Sequence, residues 1–286
     1  MKIKYWGTAA AEGVPGVFCG CEVCQYARSH GGKNVRTRSQ VMIEDKLLVD
    51  FNADTYTNAL RYGFDLSTLS DLIITHGHED HYYPVEFFNR KVGFAKDMLV
   101  KTLTVHGSTD ILSYCEKELK AVGGAIDSIY NDDRVRFDII KPYETREILG
   151  IRVTALPASH GTENPYVYIF EYGGKRMLLY NDSGYLKDET LQFIKDKKFK
   201  FDLVSYDCTL ADDTTPNNWR GKAHMGFPEI FKMQEIFTAN GNCDDNTISV
   251  ITHFSHNYEK ACYDKMLPIA KRHGFVLAYD GLDIEF

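Results

Sequence analysis

Three histidines and an aspartate fall within six consecutive positions of this chain. They are His76, His78, Asp80 and His81, in a protein with ten histidines among 286 residues. The segment before them, residues 71–75, is short, apolar and rich in isoleucine, which is typical of a buried strand. We therefore expect a fold in which this strand ends at a concentrated set of polar side chains.

Imidazole nitrogen and carboxylate oxygen are the ligands that divalent metals such as zinc accept in proteins. Four such groups in residues 76–81 could hold one ion, or they could contribute to two neighbouring ions. Gly77 allows the tight turn that the second arrangement needs. A pair of ions would require further ligands from elsewhere in the chain.

Three more potential ligands each follow an apolar run that is typical of a strand: His160, Asp182 and His253. A single histidine after a strand is usually a core or surface residue. Asp182 lies in an Asn-Asp-Ser-Gly sequence that also suits a turn. Taken together with residues 76–81, the ordered set predicts a site for two metal ions.

This order of motifs resembles that of the metallo-β-lactamase-fold hydrolases, which have an early aspartate, His-x-His-x-Asp-His, a histidine, an aspartate and a final histidine. Asp50 fits the early aspartate, which in that family usually supports a ligand rather than binding metal. The resemblance implies one ion bound by His76, His78 and His160, a second bound by Asp80, His81 and His253, and Asp182 as the bridge. Two ions about 3.5–4 Å apart can lower the pKa of a shared water and supply hydroxide at neutral pH.

A second cluster of potential ligands lies near the amino terminus, where Cys19, Cys21 and Cys24 fall within six residues. Three thiolates at this spacing can bind one soft cation, and His256 is the expected fourth ligand. A site with three cysteines and one histidine leaves no open position, so it would hold a structural zinc. Reduced buried thiols, or a disulfide in an exported chain, are the alternatives.

With the cysteine cluster included, the chain resembles in particular the PhnP-type phosphodiesterases of the carbon-phosphorus lyase pathway. These carry a Cys-x-Cys-x2-Cys knuckle after a glycine-rich first turn, and a His-x2-His near the end. The pyrroloquinoline quinone biosynthesis protein PqqB shares the amino-terminal pattern, although its other metal motif is degenerate.

His224 falls where PhnP-type enzymes and tRNA 3′-processing nucleases have an active-site histidine that is not a ligand. The resemblance implies that His224 stabilises phosphoryl charge or protonates the leaving oxygen; a surface-loop histidine is the alternative.

The composition suits a single domain spanning residues 1–286. Hydrophobic residues make up 44% and aromatic residues 13% of the chain, enough for a large core. We find neither a membrane span nor a signal peptide, and therefore expect a cytoplasmic protein without membrane contact. The net charge of −7 argues against extended nucleic-acid binding, although not against one small phosphate ester. A homodimer is an open alternative to a monomer.

Alternation of apolar runs with helical patterns predicts an α/β fold with two sheets faced by helices, a four-layer αββα sandwich. The predicted strands are 2–6, 40–44, 46–50, 71–75, 99–105, 151–156, 166–172, 175–180, 201–206, 247–252 and 275–279. The predicted helices are 53–63, 84–95, 108–121, 188–196, 227–238 and 258–272.

These features together predict a metal-dependent phosphodiesterase that cleaves a small phosphodiester, cyclic forms included. Its expected cofactors are two divalent ions, zinc or manganese, and one structural zinc. A tRNA 3′-end endonuclease would share the ions and His224, but we find no basic, glycine-rich insertion that could grip tRNA. A thioesterase or lactamase would share the ions without explaining His224, and a PqqB-like carrier would only bind a metabolite. Glu12 and residues 9–11 depart from the glycine-rich first turn, which leaves the substrate open.

Overall fold

The chain forms two seven-stranded sheets, seen in a computed structural model that describes residues 1–259 and 261–286. The strands are β1 (Lys2–Gly7), β2 (Gln40–Ile43), β3 (Leu47–Val49), β4 (Asp71–Ile73), β5 (Leu103–Gly107), β6 (Val135–Ile139), β7 (Thr145–Ile148), β8 (Ile151–Pro157), β9 (Tyr166–Tyr172), β10 (Lys175–Tyr180), β11 (Leu203–Asp207), β12 (Ile248–Thr252), β13 (Val276–Leu277) and β14 (Leu282–Glu285). The helices are α1 (Glu22–His30), α2 (Thr55–Tyr62), α3 (Asp110–Ala121), α4 (Asp127–Tyr130), α5 (Asp188–Asp196), α6 (Phe227–Ala239) and α7 (Tyr263–Arg272). Short 3-10 helices cover Gly32–Asn34, Leu66–Thr68 and Pro84–Arg90.

Both sheets are mixed. The strand order is β14-β1-β2-β3-β4-β5-β6 in the first sheet and β13-β12-β11-β10-β9-β8-β7 in the second. Strands β3 to β6 run parallel to one another, and so do β10 to β13. Because parallel strands end at the same edge of a sheet, residues that follow these strands gather on one side of the molecule.

Alternate residues of the strands enter different layers of the core. Ile73 of β4 packs with Phe170 of β9 and other residues between the two sheets, whereas its neighbour Leu72 faces the helices. The outer face of the first sheet packs against α2, α3 and α4, through residues such as Leu119. The outer face of the second sheet packs against α1, α5, α6 and α7, through residues such as Phe237. This arrangement confirms the predicted αββα sandwich.

The structure adds elements that the sequence patterns did not predict. Strands β6, β7 and β14 lie at sheet edges, where half-exposed, charged positions weaken the apolar pattern. Helix α1 begins inside the cysteine cluster, which masked its apolar face. The helix predicted at 84–95 is a 3-10 helix that ends at Arg90. The helix predicted at 258–272 begins at Tyr263, and residue 260 within that prediction lies outside the described residues.

None of the helices in the described parts of the chain is long and apolar enough to cross a membrane.

Candidate metal centre

The predicted ligands follow the carboxyl ends of four strands. Residues 76–81 follow β4, His160 follows β8, Asp182 follows β10 and His253 follows β12. Asp182 and His253 have positive φ angles of 47° and 64°, and Asp50, after β3, has a φ of 68°. Left-handed backbone is uncommon outside glycine, and such residues concentrate at functional sites.

The structure gathers four of the predicted ligands around one point. The Nδ1 atom of His78 lies 3.0 Å from Nε2 of His76 and 3.0 Å from Nε2 of His160. The Oδ2 atom of Asp182 lies 3.3 Å from Nε2 of His76 and 3.7 Å from Nε2 of His160. This first ligand group therefore contains three imidazole nitrogens and one carboxylate oxygen.

A second ligand group shares Asp182 with the first. The Nε2 atom of His81 lies 3.3 Å from Oδ2 of Asp80 and 3.0 Å from Oδ2 of Asp182. The Nε2 atom of His253 lies 3.4 Å from Nε2 of His81 and 2.7 Å from Oδ1 of Asp182. Asp182 thus stands between the two groups, in the position expected of a bridge.

Both groups have the dimensions of a metal site. Ligand atoms about 2.0–2.1 Å from a tetrahedral ion lie about 3.4 Å from each other. The ligand-to-ligand distances given above scatter around that value. The Oδ1 atom of Asp182 is buried and, within the described residues, accepts no hydrogen bond of good geometry, although Nε2 of His253 lies 2.7 Å away. A cation would satisfy this oxygen, so the residues present fit the implied metal pair.

Hydrogen bonds hold several of the rings by the nitrogen that faces away from the site. Nδ1 of His81 donates to Oδ2 of Asp50 at 2.6 Å, and Nδ1 of His253 donates to Oγ1 of Thr209 at 2.8 Å. Nδ1 of His160 donates to a backbone carbonyl at 3.2 Å. These bonds set the tautomer and leave Nε2 free to bind a metal. The predicted supporting position of Asp50 agrees with this geometry.

Burial and neighbouring carboxylates have opposite effects on the pKa values of the histidines at this site. Burial lowers the pKa of His76 and of His160, which favours neutral imidazoles. Burial acts the same way on His81, but the carboxylates of Asp80 and Asp182 outweigh it and raise the pKa of that ring. The pKa of Asp182 is held well below its usual value, because cationic imidazoles outweigh the opposite effect of burial. A proton on His81 therefore occupies the place of a metal and would be released when one binds.

His224 lies beside the two ligand groups, with its ring centroid 5.0 Å from that of His160. Its Nδ1 donates to Oδ2 of Asp207 at 3.0 Å. Burial lowers the pKa of His224, but the carboxylate of Asp207 outweighs burial and raises it to about 9. The structure therefore places His224 at the edge of the site, beside a carboxylate that favours its protonated form.

The sequence analysis missed Asp207, which is fully buried at the end of β11. Its carboxylate accepts from His224, from the backbone and hydroxyl of Thr209, and from the backbone of Met225, at 3.0–3.1 Å. Asp182, Asp207, His224 and His253 also lie close enough together to form a further candidate ligand group. Because protein donors already occupy both oxygens of Asp207, we assign it to orienting His224 rather than to binding an ion. The signal was present, because an apolar run precedes Asp207 as one precedes Asp182.

The predicted cysteine cluster also comes together. The Sγ atoms of Cys19 and Cys21 each lie 3.6 Å from Nδ1 of His256, and Cys24 completes the group. A tetrahedral zinc with sulfur at about 2.3 Å and nitrogen at about 2.0 Å gives a sulfur-to-nitrogen distance of about 3.5 Å, close to these values. All seven cysteines of the chain are free, so no disulfide competes for these thiols.

The turn after β12 connects the two candidate metal sites. It supplies His253 to the paired groups and His256 to the cysteine cluster. Phe254, between them, accepts a hydrogen bond from the backbone of Ala10 and donates one to that of Thr8, both at 3.0 Å. The amino-terminal segment is thereby fixed against the turn that carries both ligands.

A cavity of about 400 Å³ opens onto the paired groups. It is lined by Ala10, Ala11, Glu12, His78, Asp80, His160, Gly161, Asp182, Thr209, Leu210, Trp219, Ala223, His224, His253, Ser255, Asn257 and Tyr258. Residues of both candidate ligand groups and His224 are therefore exposed to one space that can hold a small molecule.

Among solved structures, the chain is similar to a diphosphatase of the PhnP family, at 21% identity and a TM-score of 0.69, with 100% of this chain and 97% of that chain covered. It is similar to zinc-bound PqqB from Methylobacterium extorquens, at 18% identity and a TM-score of 0.73, with both chains fully covered. The short form of human tRNase Z matches at 15% identity and a TM-score of 0.64, with 100% and 99% covered. At these identities the similarity shows the fold alone.

None of the curated proteins compared with the chain matches it. A family model described as the β-lactamase superfamily domain matches residues 51–254. The matched region begins directly after Asp50 and includes His253, so it contains all the candidate ligands of the two His/Asp groups. The chain therefore belongs to the β-lactamase superfamily, as a metal-dependent hydrolase of the metallo-β-lactamase fold.

Proposed function

We propose that this hydrolase is a phosphodiesterase that cleaves a small phosphodiester in the cavity above the paired ligand groups. In this proposal the two groups hold zinc or manganese ions, and the cysteine cluster holds a structural zinc. When bound, a pair of divalent ions lowers the pKa of a shared water and neutralises charge on phosphoryl oxygens.

The observation that carries the proposal is the position of His224. It faces the cavity, belongs to neither of the two shared ligand groups, and is oriented by the buried carboxylate of Asp207. An alkoxide leaves phosphorus slowly unless it receives a proton, whereas a thiolate leaves a thioester without one. A fixed proton donor beside the metal ligands therefore favours an oxygen ester over a thioester.

The hydrolysis requires one new bond and one broken bond. The oxygen of a water molecule bonds to phosphorus while the bond from phosphorus to the ester oxygen breaks. His224 gives the proton of its free ring nitrogen to the departing oxygen, and Asp207 holds the ring in place during the transfer. Asp182, between the two groups, keeps their ligands at a fixed separation.

Asp182→Ala tests the proposal, because this residue is shared by both ligand groups. We expect the zinc- or manganese-loaded protein to hydrolyse bis(p-nitrophenyl) phosphate, and the variant to lose at least about 10³-fold in kcat/KM together with bound metal. Asp188→Ala, at an exposed position of α5, is the matched control and should keep both properties.

The substrate class is tested in the same assay with a thioester and a lactam. Hydrolysis of the phosphodiester alone, dependent on Asp182, supports the proposal. Full activity of Asp182→Ala contradicts the assigned site. A metal-loaded wild type that cleaves the thioester or the lactam but no phosphodiester contradicts the assigned substrate.

A further inference from the structure

The outer part of the active-site cavity has a composition that hydrolysis alone does not require. Trp219 and Tyr258 contribute aromatic rings to its wall, and Glu12 contributes a carboxylate. These residues come from three different segments: the first turn, the loop before α6 and the turn after β12. The indole of Trp219 is not packed into the core, since the residue is 60% exposed.

Glu12 is held in place by a neutral neighbour. The Nδ2 atom of Asn257 donates to Oε1 of Glu12 at 2.9 Å and to Oγ of Ser255 at 3.0 Å. In residues 1–259 and 261–286, no lysine or arginine lines the cavity or forms an ion pair with Glu12. Arg220, next to Trp219 in sequence, is occupied by Glu229 at 2.6 Å. The carboxylate of Glu12 is thus fixed in position while its charge is left without a cation from these residues.

Two aromatic residues and a carboxylate that line one cavity form an environment for an organic cation. The negative face of an indole or phenol ring attracts an alkylammonium group, and the attraction is strongest where water is excluded. The same carboxylate repels a substrate with several negative charges, such as a nucleic-acid strand. The net charge of −7 for the whole chain acts in the same direction.

Trp219 lies in the same loop as His224, the proposed proton donor. The backbone N–H of His224 donates to the carbonyl oxygen of Trp219 at 3.1 Å, so both side chains belong to one short loop. A phosphodiester whose phosphoryl group reaches the metal ligands would therefore direct one of its alcohol groups toward Trp219 and Glu12.

We propose that the substrate is a zwitterionic phosphodiester, one of whose two alcohols carries a quaternary ammonium group that binds between Trp219, Tyr258 and Glu12. This inference rests on the proposed phosphodiesterase activity. It assigns Glu12, Trp219 and Tyr258 to substrate selection rather than to bond cleavage. Hydrolysis adds one water and yields a phosphomonoester and a free alcohol, with the ammonium group on one of the two products.

The test compares two diesters that differ only in charge. One is glycerophosphocholine, and the other is its carbon isostere, in which a tert-butyl group replaces the trimethylammonium group. Cleavage by the metal-loaded full-length protein is followed by phosphorus NMR, which also shows which ester bond breaks. We expect kcat/KM to be about tenfold or more higher for the choline ester. Equal values for the two diesters overturn the inference and leave the phosphodiesterase proposal intact.

Glu12→Gln removes the charge and keeps an oxygen that can accept from Asn257. We expect the ratio of the two kcat/KM values to fall toward one in this variant. Glu116→Gln, at an exposed position of α3 outside the cavity, is the matched control and should keep the ratio of the wild type. An unchanged ratio in Glu12→Gln overturns the assigned role of Glu12.

A binding measurement decides the inference even if neither diester is hydrolysed. The chain has two tryptophans, and Trp6 is buried, so tetramethylammonium should quench the fluorescence of Trp219 in a saturable way. Saturable quenching that is lost in Trp219→Leu supports the cation site. Its absence in the wild type overturns the inference. A further experiment offers vesicles of phosphatidylcholine to the protein. Cleavage of this lipid would mean that the ammonium group belongs to a lipid headgroup. If the lipid is not cleaved, the ammonium group belongs to a soluble diester.

Discussion

Replacing Asp207 with asparagine should separate proton donation from metal binding. The two side chains have nearly the same shape, so the backbone N–H groups of Thr209 and Met225 can still bond to the remaining oxygen, as they do to Oδ1 at 3.0 Å. The Oδ2 atom, which accepts from His224, becomes an NH2 group that can only donate. The new NH2 group and the Nδ1–H group of His224 are then two donors that face each other, and the protonated form of His224 loses its hydrogen-bond acceptor.

The expected size of the effect follows from this exchange. A hydrogen bond to a charged group contributes about 1.5–3 kcal/mol, and losing it inside the fold should lower the free energy of unfolding by an amount in this range. A positioned general acid contributes about 10²–10⁴-fold to a rate, so kcat for a dialkyl phosphodiester should fall by about that factor. KM and bound metal should stay near their wild-type values, because both oxygens of Asp207 already accept hydrogen bonds from protein donors.

The leaving group provides the decisive assay. A p-nitrophenolate ion departs without a proton, so Asp207→Asn should impair hydrolysis of bis(p-nitrophenyl) phosphate far less than that of a dialkyl diester. Asp202→Asn is the matched control. Asp202 directly precedes β11 and Asp207 is its last residue, so the two aspartates lie at opposite ends of the strand and Asp202 is far from the site. It should affect stability without separating the two substrates. Equal losses for both leaving groups in Asp207→Asn would refute the role assigned to His224.

Three further outcomes are expected. Cys21→Ser should release one equivalent of zinc, measured by elemental analysis, and lower the melting temperature; unchanged metal content would argue against the cysteine site. Phe170→Ala, between the sheets, should cost about 3–5 kcal/mol in urea unfolding, whereas the same change at the fully exposed Phe18 should cost less than about 0.5 kcal/mol; similar costs would contradict the described core. Burial raises the pKa of Asp71, but the hydrogen bonds from His106 and Ser70 and the charge of His106 together outweigh it and lower the pKa. The stabilisation is therefore complete above about pH 4 and lost as pH falls through the lowered value, and His106→Asn should flatten the decline in stability below about pH 4. An equally steep decline in the variant would exclude this pair as its source.

The candidate ligands could be picked out from the sequence because each follows a buried strand, whereas their division into two sets was implied by the resemblance to the metallo-β-lactamase-fold hydrolases. The apolar run before Asp182 becomes β10, whose last four residues are buried, and the run before His253 becomes β12. In a sandwich of two mixed sheets such strand ends face each other, so the family's order of motifs together with the strand patterns predicted which distant residues meet.

The remaining features depend on tertiary contacts that local patterns do not encode. Edge strand β7 exposes much of its surface, so its apolar pattern is weak. Asp207 was overlooked because a buried carboxylate that accepts four hydrogen bonds looks in sequence like any polar residue after a strand. The residues proposed to bind the organic cation are Glu12, Trp219 and Tyr258, which lie far apart in the chain and share no sequence motif.

The short span from His253 to His256 has a practical consequence for handling the protein. If the proposed zinc occupies the thiolate cluster, chelation or oxidation that removes it would free His256, which lies between Phe254, bonded to Ala10 and Thr8, and Asn257, bonded to Glu12. Apoprotein prepared for metal replacement must therefore be reconstituted under reducing conditions with zinc at the thiolates before another ion is introduced elsewhere. Batches that differ in zinc content at the cysteines would otherwise differ in selectivity while having identical sequences.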